Sequence, residues 1–154
     1  MVITEVPSVA GVPLDLIELR LKRRESAWTQ MVVAAHGAGA VTETEVVLAA
    51  LAQRERLGST AIGKGSALIG IRSLAVSRMH LMLGRAPRGI EWNAPDGAPV
   101  TLVLLLLAPA TQDPDDHLDR LAQLAQALRL QRPRQRLAEI DASGAAALLE
   151  GRLP

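Results

Sequence analysis

The run Val100–Ala108, VTLVLLLLA, standing between Pro99 and Pro109, constrains the fold more than any other stretch of the chain. It is about half as long as the ~20 apolar residues a membrane-spanning helix needs. A run of this length with no polar face reads as a strand buried on both sides in the middle of a sheet. Such a strand must be covered above and below, so the rest of the chain has to supply two layers.

The 154 residues suffice for one domain with a single core, and the reading is one domain over 1–154. Hydrophobic residues make up 49% of the chain, but there is no Phe or Tyr and the aromatics are Trp28 and Trp92 alone. The core must therefore be aliphatic, and platforms for stacking single-stranded nucleic acid are nearly absent. A formal net charge of +1 gives no electrostatic case for nucleic acid either. The absence of cysteine excludes disulfides, thiolate metal sites and cysteine nucleophiles, and is compatible with a reducing cytoplasm. The opening MVITEVPSVAG lacks the positive start and long apolar region of a signal peptide. The expectation is a soluble, cytoplasmic, free-standing protein with no membrane insertion.

Along the chain, Val12–Leu21 reads as a first strand. Glu25–His36 reads as a helix carrying Trp28, Met31, Val32 and Ala35, stopped by Gly37. Thr42 and Glu45 form a capping box for a helix running to about Arg56 and ending at Gly58. Strands are expected over 74–83 and 90–92, with a turn at Asp96-Gly97 leading into the Val100 strand. Asp113-Pro114-Asp115-Asp116 is a helix start with cap, N1 proline and first-turn acids. Leu118, Leu121, Ala125 and Leu128 follow as its apolar stripe. Shorter helices are expected from Pro133 to about Glu139 and from a Ser143 cap to Glu150. Strands and helices interleave, so the fold class is α/β: a mixed central sheet flanked by helices.

The segment GSTAIGKGSALIGIR, residues 58–72, holds the candidate chemistry. Gly58 and Gly63-Lys64 imitate the start of a phosphate-binding P-loop. However, Gly65 stands where that loop needs Ser or Thr for magnesium, and a helix precedes and a strand follows it, the reverse of the required context. Leu68 likewise breaks any dinucleotide fingerprint. Of the three histidines, His36 reads as a helix end and His80 as a hydrogen-bonded structural residue. His117 falls in the first turn behind Asp113, where free N–H groups and the helix dipole favour an anion. At that position it is either an anion-site histidine, able to take a proton or a phosphoryl group, or an exposed helix-start residue. Arg129, Arg132, Arg134 and Arg136 read as a solvated surface, with docking of an acidic partner as the minority alternative. No histidine pair has metal-ligand spacing, and no cofactor is expected.

LAQRERLGSTAIGKG, residues 51–65, resembles the signature of enzyme IIA domains of the mannitol/fructose type from the bacterial phosphotransferase system, a group that includes the nitrogen-regulatory enzyme IIA proteins. The similarity rests on Arg54, Glu55, Gly58, Ser59, Thr60, Ile62, Gly63, Gly65, Ala67, Leu68 and Arg72. It continues through GIEWNAPDGAPVTLVLLLLAP and DDHLDRLAQLAQAL. The resemblance implies a mixed, twisted sheet flanked by helices, and a site where a phosphoacceptor histidine sits beside a second histidine. The second corresponds to His117. Arg54, Ser59 and Thr60 correspond to the family's Arg and small polar residues, and Gly63, Gly65 and Gly70 complete the binding set.

The acceptor itself is missing. Where the family has Pro-His, this chain has Ile69-Gly70, and glycine has no side chain to take a phosphoryl group. Gly70 is expected to leave a small void beside the site. The resemblance, less its nucleophile, implies a regulator that binds instead of reacting. Its partner would be a phosphotransferase component, a transporter or a kinase, or else a small anion or phosphate at His117. The alternative is a phosphocarrier, a phosphohistidine phosphotransferase component, that has moved its acceptor to His117, or to His80.

Overall fold

In the computed structural model, which describes residues 6–151, the Val100 run becomes the strand around which everything else is arranged. It forms β6 (Val100–Pro109), inside a six-stranded mixed sheet of order β1-β2-β5-β6-β4-β3. The other strands are β1 (Ser8–Val9), β2 (Val12–Glu18), β3 (Ala61–Gly63), β4 (Ser66–Ser73) and β5 (His80–Ile90). β6 pairs antiparallel with β5 and parallel with β4, while β2 runs parallel to β5.

The two-residue period of a strand sends successive β6 side chains to opposite faces. Val103, Leu105 and Leu107 join one core, with Trp28, Met31, Val32, Val47 and Leu51 from α1 (Arg24–Gly37) and α2 (Thr44–Arg56). Leu102, Leu104 and Leu106 join the other, with Leu124, Leu128, Leu137 and Leu148 from α3 (Pro114–Arg129), α4 (Gln131–Leu137) and α5 (Ala142–Leu149). The expected α/β class and doubly covered strand are thus observed. Residues 1–5 and 152–154 of the expected domain lie outside the described residues. No helix among the described residues is long and apolar enough to cross a membrane.

Several local expectations are corrected by tertiary contacts. The strand expected over 74–83 is split: β4 ends at Ser73, Leu74 is exposed, and β5 starts only at His80. Thr42 does not cap α2, because its N–H and hydroxyl both donate to Ala75 O, at 2.8 and 3.1 Å, beside the Val41–Val76 bridge. The last helix is capped by Asp141, whose carboxylate accepts from Gly144 N at 2.8 Å, in place of Ser143. α4 starts at Gln131, two residues before Pro133.

Candidate functional site

β4 crosses the middle of the site, and its alternation decides what the site contains. Ala67, Ile69 and Ile71 enter the α1/α2 core. Leu68, Gly70 and Arg72 take the opposite parity and meet α3. A Cβ added at Gly70 would lie 2.5 Å from Leu121 Cδ1 and 2.7 Å from His117 Nε2. The void expected there does not exist: Leu121 and His117, one turn apart on α3, have closed over the glycine. The ends of two flexible side chains fill the space, so close packing is reached without backbone strain.

α3 begins where the sequence places it. Asp113 accepts from Asp115 N at 3.3 Å, and Pro114 opens the helix. His117, only 7% exposed, faces the sheet, which excludes the exposed helix-start alternative. The buried stripe runs through His117, Leu124 and Leu128 with Leu121 packed alongside, whereas the expected Leu118 points to solvent.

Hydrogen bonding fixes the imidazole. His117 Nδ1 lies 3.0 Å from Gln112 Oε1, while the Gln112 amide nitrogen donates to Asp116 Oδ2 at 2.8 Å. With its NH2 turned to a carboxylate, Gln112 offers only an acceptor to His117, so Nδ1 carries the proton and Nε2 keeps its lone pair towards Gly70. Arg120 Nε donates to Asp116 at 2.9 Å, and Arg72 donates to Gln112 O at 2.8 Å. Burial, and then the Arg72 charge, push the His117 pKa below its ordinary value of 6.5, with Asp116 opposing more weakly. Arg120 and Gln112 hold the Asp116 carboxyl below its usual range. The result is a neutral, oriented imidazole whose bare nitrogen faces a residue with no side chain. It can accept a proton or a hydrogen bond; Gly70 offers no atom for covalent chemistry.

The remaining signature residues serve the framework. Gly63 pairs with Ser66 across a two-residue turn in which Lys64 and Gly65 take φ of +56° and +81°. This is a hairpin with both turn residues left-handed, not a strand-to-helix phosphate loop, and Lys64 N is bound to Asp96 Oδ2 at 2.9 Å. Arg54 donates to Gly58 O at 2.9 Å, and Ser59 Oγ accepts from Ala61 N at 3.1 Å. Thr60 is buried, with its hydroxyl donated to Glu55 and accepting from Trp92 Nε1 at 2.9 Å. Of the expected site residues, only Gly70 and His117 are brought into contact.

His36 Nδ1 donates to Val41 O at 2.7 Å, holding the turn between α1 and α2. His80 is buried, with Nε2 2.7 Å from Asp15 Oδ2, a structural pairing as expected. No cluster of metal-ligating side chains occurs among the described residues. Sequence reasoning missed the electrostatic role of Arg72 and the positioning role of Gln112. Arg72 was findable, since it shares the strand face of Gly70 two residues on; Gln112 carries no local signal.

A six-stranded mixed sheet covered by helices on both faces is the fold of solved enzyme IIA proteins. The structure matches nitrogen regulatory protein IIA-Ntr from Neisseria meningitidis with a TM-score of 0.79 and 25% identity, covering 88% of this chain and 95% of that one. It also matches the Escherichia coli complex of enzyme IIAMTL and phosphorylated enzyme IIBMTL with a TM-score of 0.68 and 21% identity, covering 90% and 99%. In sequence, residues 13–150 match the family "Phosphoenolpyruvate-dependent sugar phosphotransferase system, EIIA 2", and the chain belongs to that family. It is 30% identical over 143 residues to a PTS system fructose-specific EIIA component of Haloferax volcanii, covering 92% of this chain and 91% of that protein. It is 41% identical over 83 residues to a nitrogen regulatory protein of Bradyrhizobium diazoefficiens, covering 54% of each.

Proposed function

We propose that this chain is an enzyme IIA-type regulatory protein that acts by binding a protein partner and carries no phosphoryl group at the family position. The observation behind this reading is Gly70, roofed by Leu121 and His117 at the distances of a filled core. A family member that worked as a carrier would need a nucleophile there, and glycine supplies none; the ends of the Leu121 and His117 side chains occupy the position instead. The partner would be a phosphotransferase component, a transporter or a kinase. The E. coli complex named above joins a IIA of this fold to its IIB, a precedent for protein docking. Leu118, the fifth residue of α3, and Leu74, directly after β4, are exposed apolar residues beside the site. They suit a protein surface better than a free anion. A small anion at His117 is the weaker reading, because the imidazole is neutral and Asp113, Asp115 and Asp116 crowd the same helix start.

Incubation with phosphoenolpyruvate, enzyme I and the histidine phosphocarrier protein tests this directly by intact-mass spectrometry. The expected result is no acid-labile gain of one phosphoryl mass. A stoichiometric gain would overturn the proposal, and its loss in His117→Gln would place the acceptor on His117.

A further inference from the structure

At the opposite side of the sheet from β4, the parallel strands β2 and β5 come apart. Their register runs from Leu14↔Leu81 to Glu18↔Arg85. After it, Leu19 N bonds Arg85 O at 2.7 Å, and the next cross-strand bond is Glu91 N to Lys22 O at 2.8 Å. β5 loosens from β6 over the same stretch: its register jumps from Arg85↔Leu102 to Ile90↔Val100, so Ala86–Gly89 have no register partner. The sequence builds this bulge. Pro87 has no N–H to give to a ladder, and Gly89 turns the chain back at φ +81° against Pro99.

The parted strands enclose a cleft of about 350 Å³, at the low end of small-molecule site sizes. Leu19, Leu21, Ala86 and Pro87 give it apolar walls, and Arg20, Lys22 and Arg88 line it with positive charge. None of these three cations has a hydrogen bond or ion pair among the described residues. The one carboxylate in the lining, Glu18, is 3.5 Å from Arg85. In a chain of net charge +1, three uncompensated cations around one concave opening are a local excess.

From this we infer that the β2–β5 cleft is a binding site for a small phosphorylated organic molecule. The phosphoryl oxygens meet Arg20, Lys22 and Arg88, and the organic part rests on the leucine and proline walls. Forked guanidinium donors and a mobile ammonium suit phosphate oxygens in combination. The site is separate from Gly70 and His117 and does not depend on their reading.

The test is titration of the 15N-labelled protein with glycerol phosphate and with pyrophosphate, at ionic strength held constant with chloride. We expect saturable amide shifts confined to residues 19–22 and 86–89. The Arg20→Ser/Arg88→Ser variant, two exposed positions, is expected to fold with an unchanged amide spectrum elsewhere and to bind about tenfold or more weakly. Vesicles of phosphatidylglycerol form a second arm: cosedimentation lost in that variant would identify a lipid headgroup as the source of the phosphate. The inference is overturned by shifts that spread over the surface without saturating, or by affinity retained in the double variant. It is equally overturned by a poly-glutamate peptide binding the cleft more tightly than either phosphate, which would make this an acidic-protein surface.

Discussion

Position 70 is decided by space rather than by conformation, since its backbone is one that any residue adopts. A methyl group there gains at most about 1 kcal/mol of strand propensity over glycine. It also meets Leu121 and His117 well inside contact distance, and overpacking of this kind costs about 1–3 kcal/mol. The cost wins, so Gly70→Ala should lower the unfolding free energy by about 1 kcal/mol in urea denaturation. Combined with Leu121→Ala, the same change should become neutral or favourable, a coupling that a double-mutant cycle reads directly. A Gly70→Ala protein more stable than wild type would contradict the packing described here. His117 gives a second expectation. Its pKa is depressed in the folded chain below the ordinary 6.5, so the unfolded chain takes the proton more readily. The stability it contributes is therefore complete above pH 6.5 and drains away as pH falls through the depressed value. Between about pH 7.5 and pH 5.5, wild type should lose more stability than His117→Gln in denaturant titrations. Equal losses would mean that the imidazole is not held neutral.

At the scale of elements, the signature residues pin α2 to the β3–β4 hairpin. Thr60 stands between Glu55, whose carboxylate accepts from Thr60 N at 3.2 Å and from its hydroxyl, and Trp92 Nε1 at 2.9 Å. Arg24 closes the group by donating to Trp92 O at 3.1 Å and lying 3.6 Å from Glu55. Thr60→Val keeps the shape but leaves the Trp92 indole N–H buried without an acceptor and takes the hydroxyl donor from Glu55 Oε2, which keeps only the backbone N–H of residue 60 at 3.3 Å. The expected cost is about 2–3 kcal/mol, with Thr60→Ser close to wild type in the same denaturation experiment. This group also shows where legibility in the sequence stops. The Val100 run announced a doubly buried strand, and Asp113-Pro114 announced the start of α3, because the signals are local. The stripe on α3 was read correctly at Leu121 and Leu128 but one residue late at Leu118 and Ala125, where His117 and Leu124 are the buried residues; a histidine at the first position looks polar and Leu118 beside it looks like core. Thr42 resembled a cap until Ala75 O, in the turn after β4, took its hydroxyl. Gly70 became informative only beside the family pattern; the side chains that close over it come from a helix far along the chain, and no spacing rule announces them.

For the whole molecule, the alternation of β6 ties the two cores together. Leu104 belongs to the α3 side and Leu105 to the α1/α2 side, so neither core can dissolve while the strand remains buried on the other. Trp28 and Trp92 both lie on the α1/α2 side, with ring centroids 6.2 Å apart in an edge-to-face arrangement. Indole fluorescence therefore reports on one face of the sheet only. Leu124 sits in the opposite core, and truncating such a side chain costs about 2–5 kcal/mol. If the sheet couples the faces, Leu124→Ala must move the tryptophan transition as far as it moves the far-ultraviolet circular dichroism transition, although it touches neither indole. Coincident midpoints in urea are the expected outcome. A tryptophan midpoint left at the wild-type value while the dichroism midpoint falls would show that the two layers unfold separately and that β6 does not bind them into one unit.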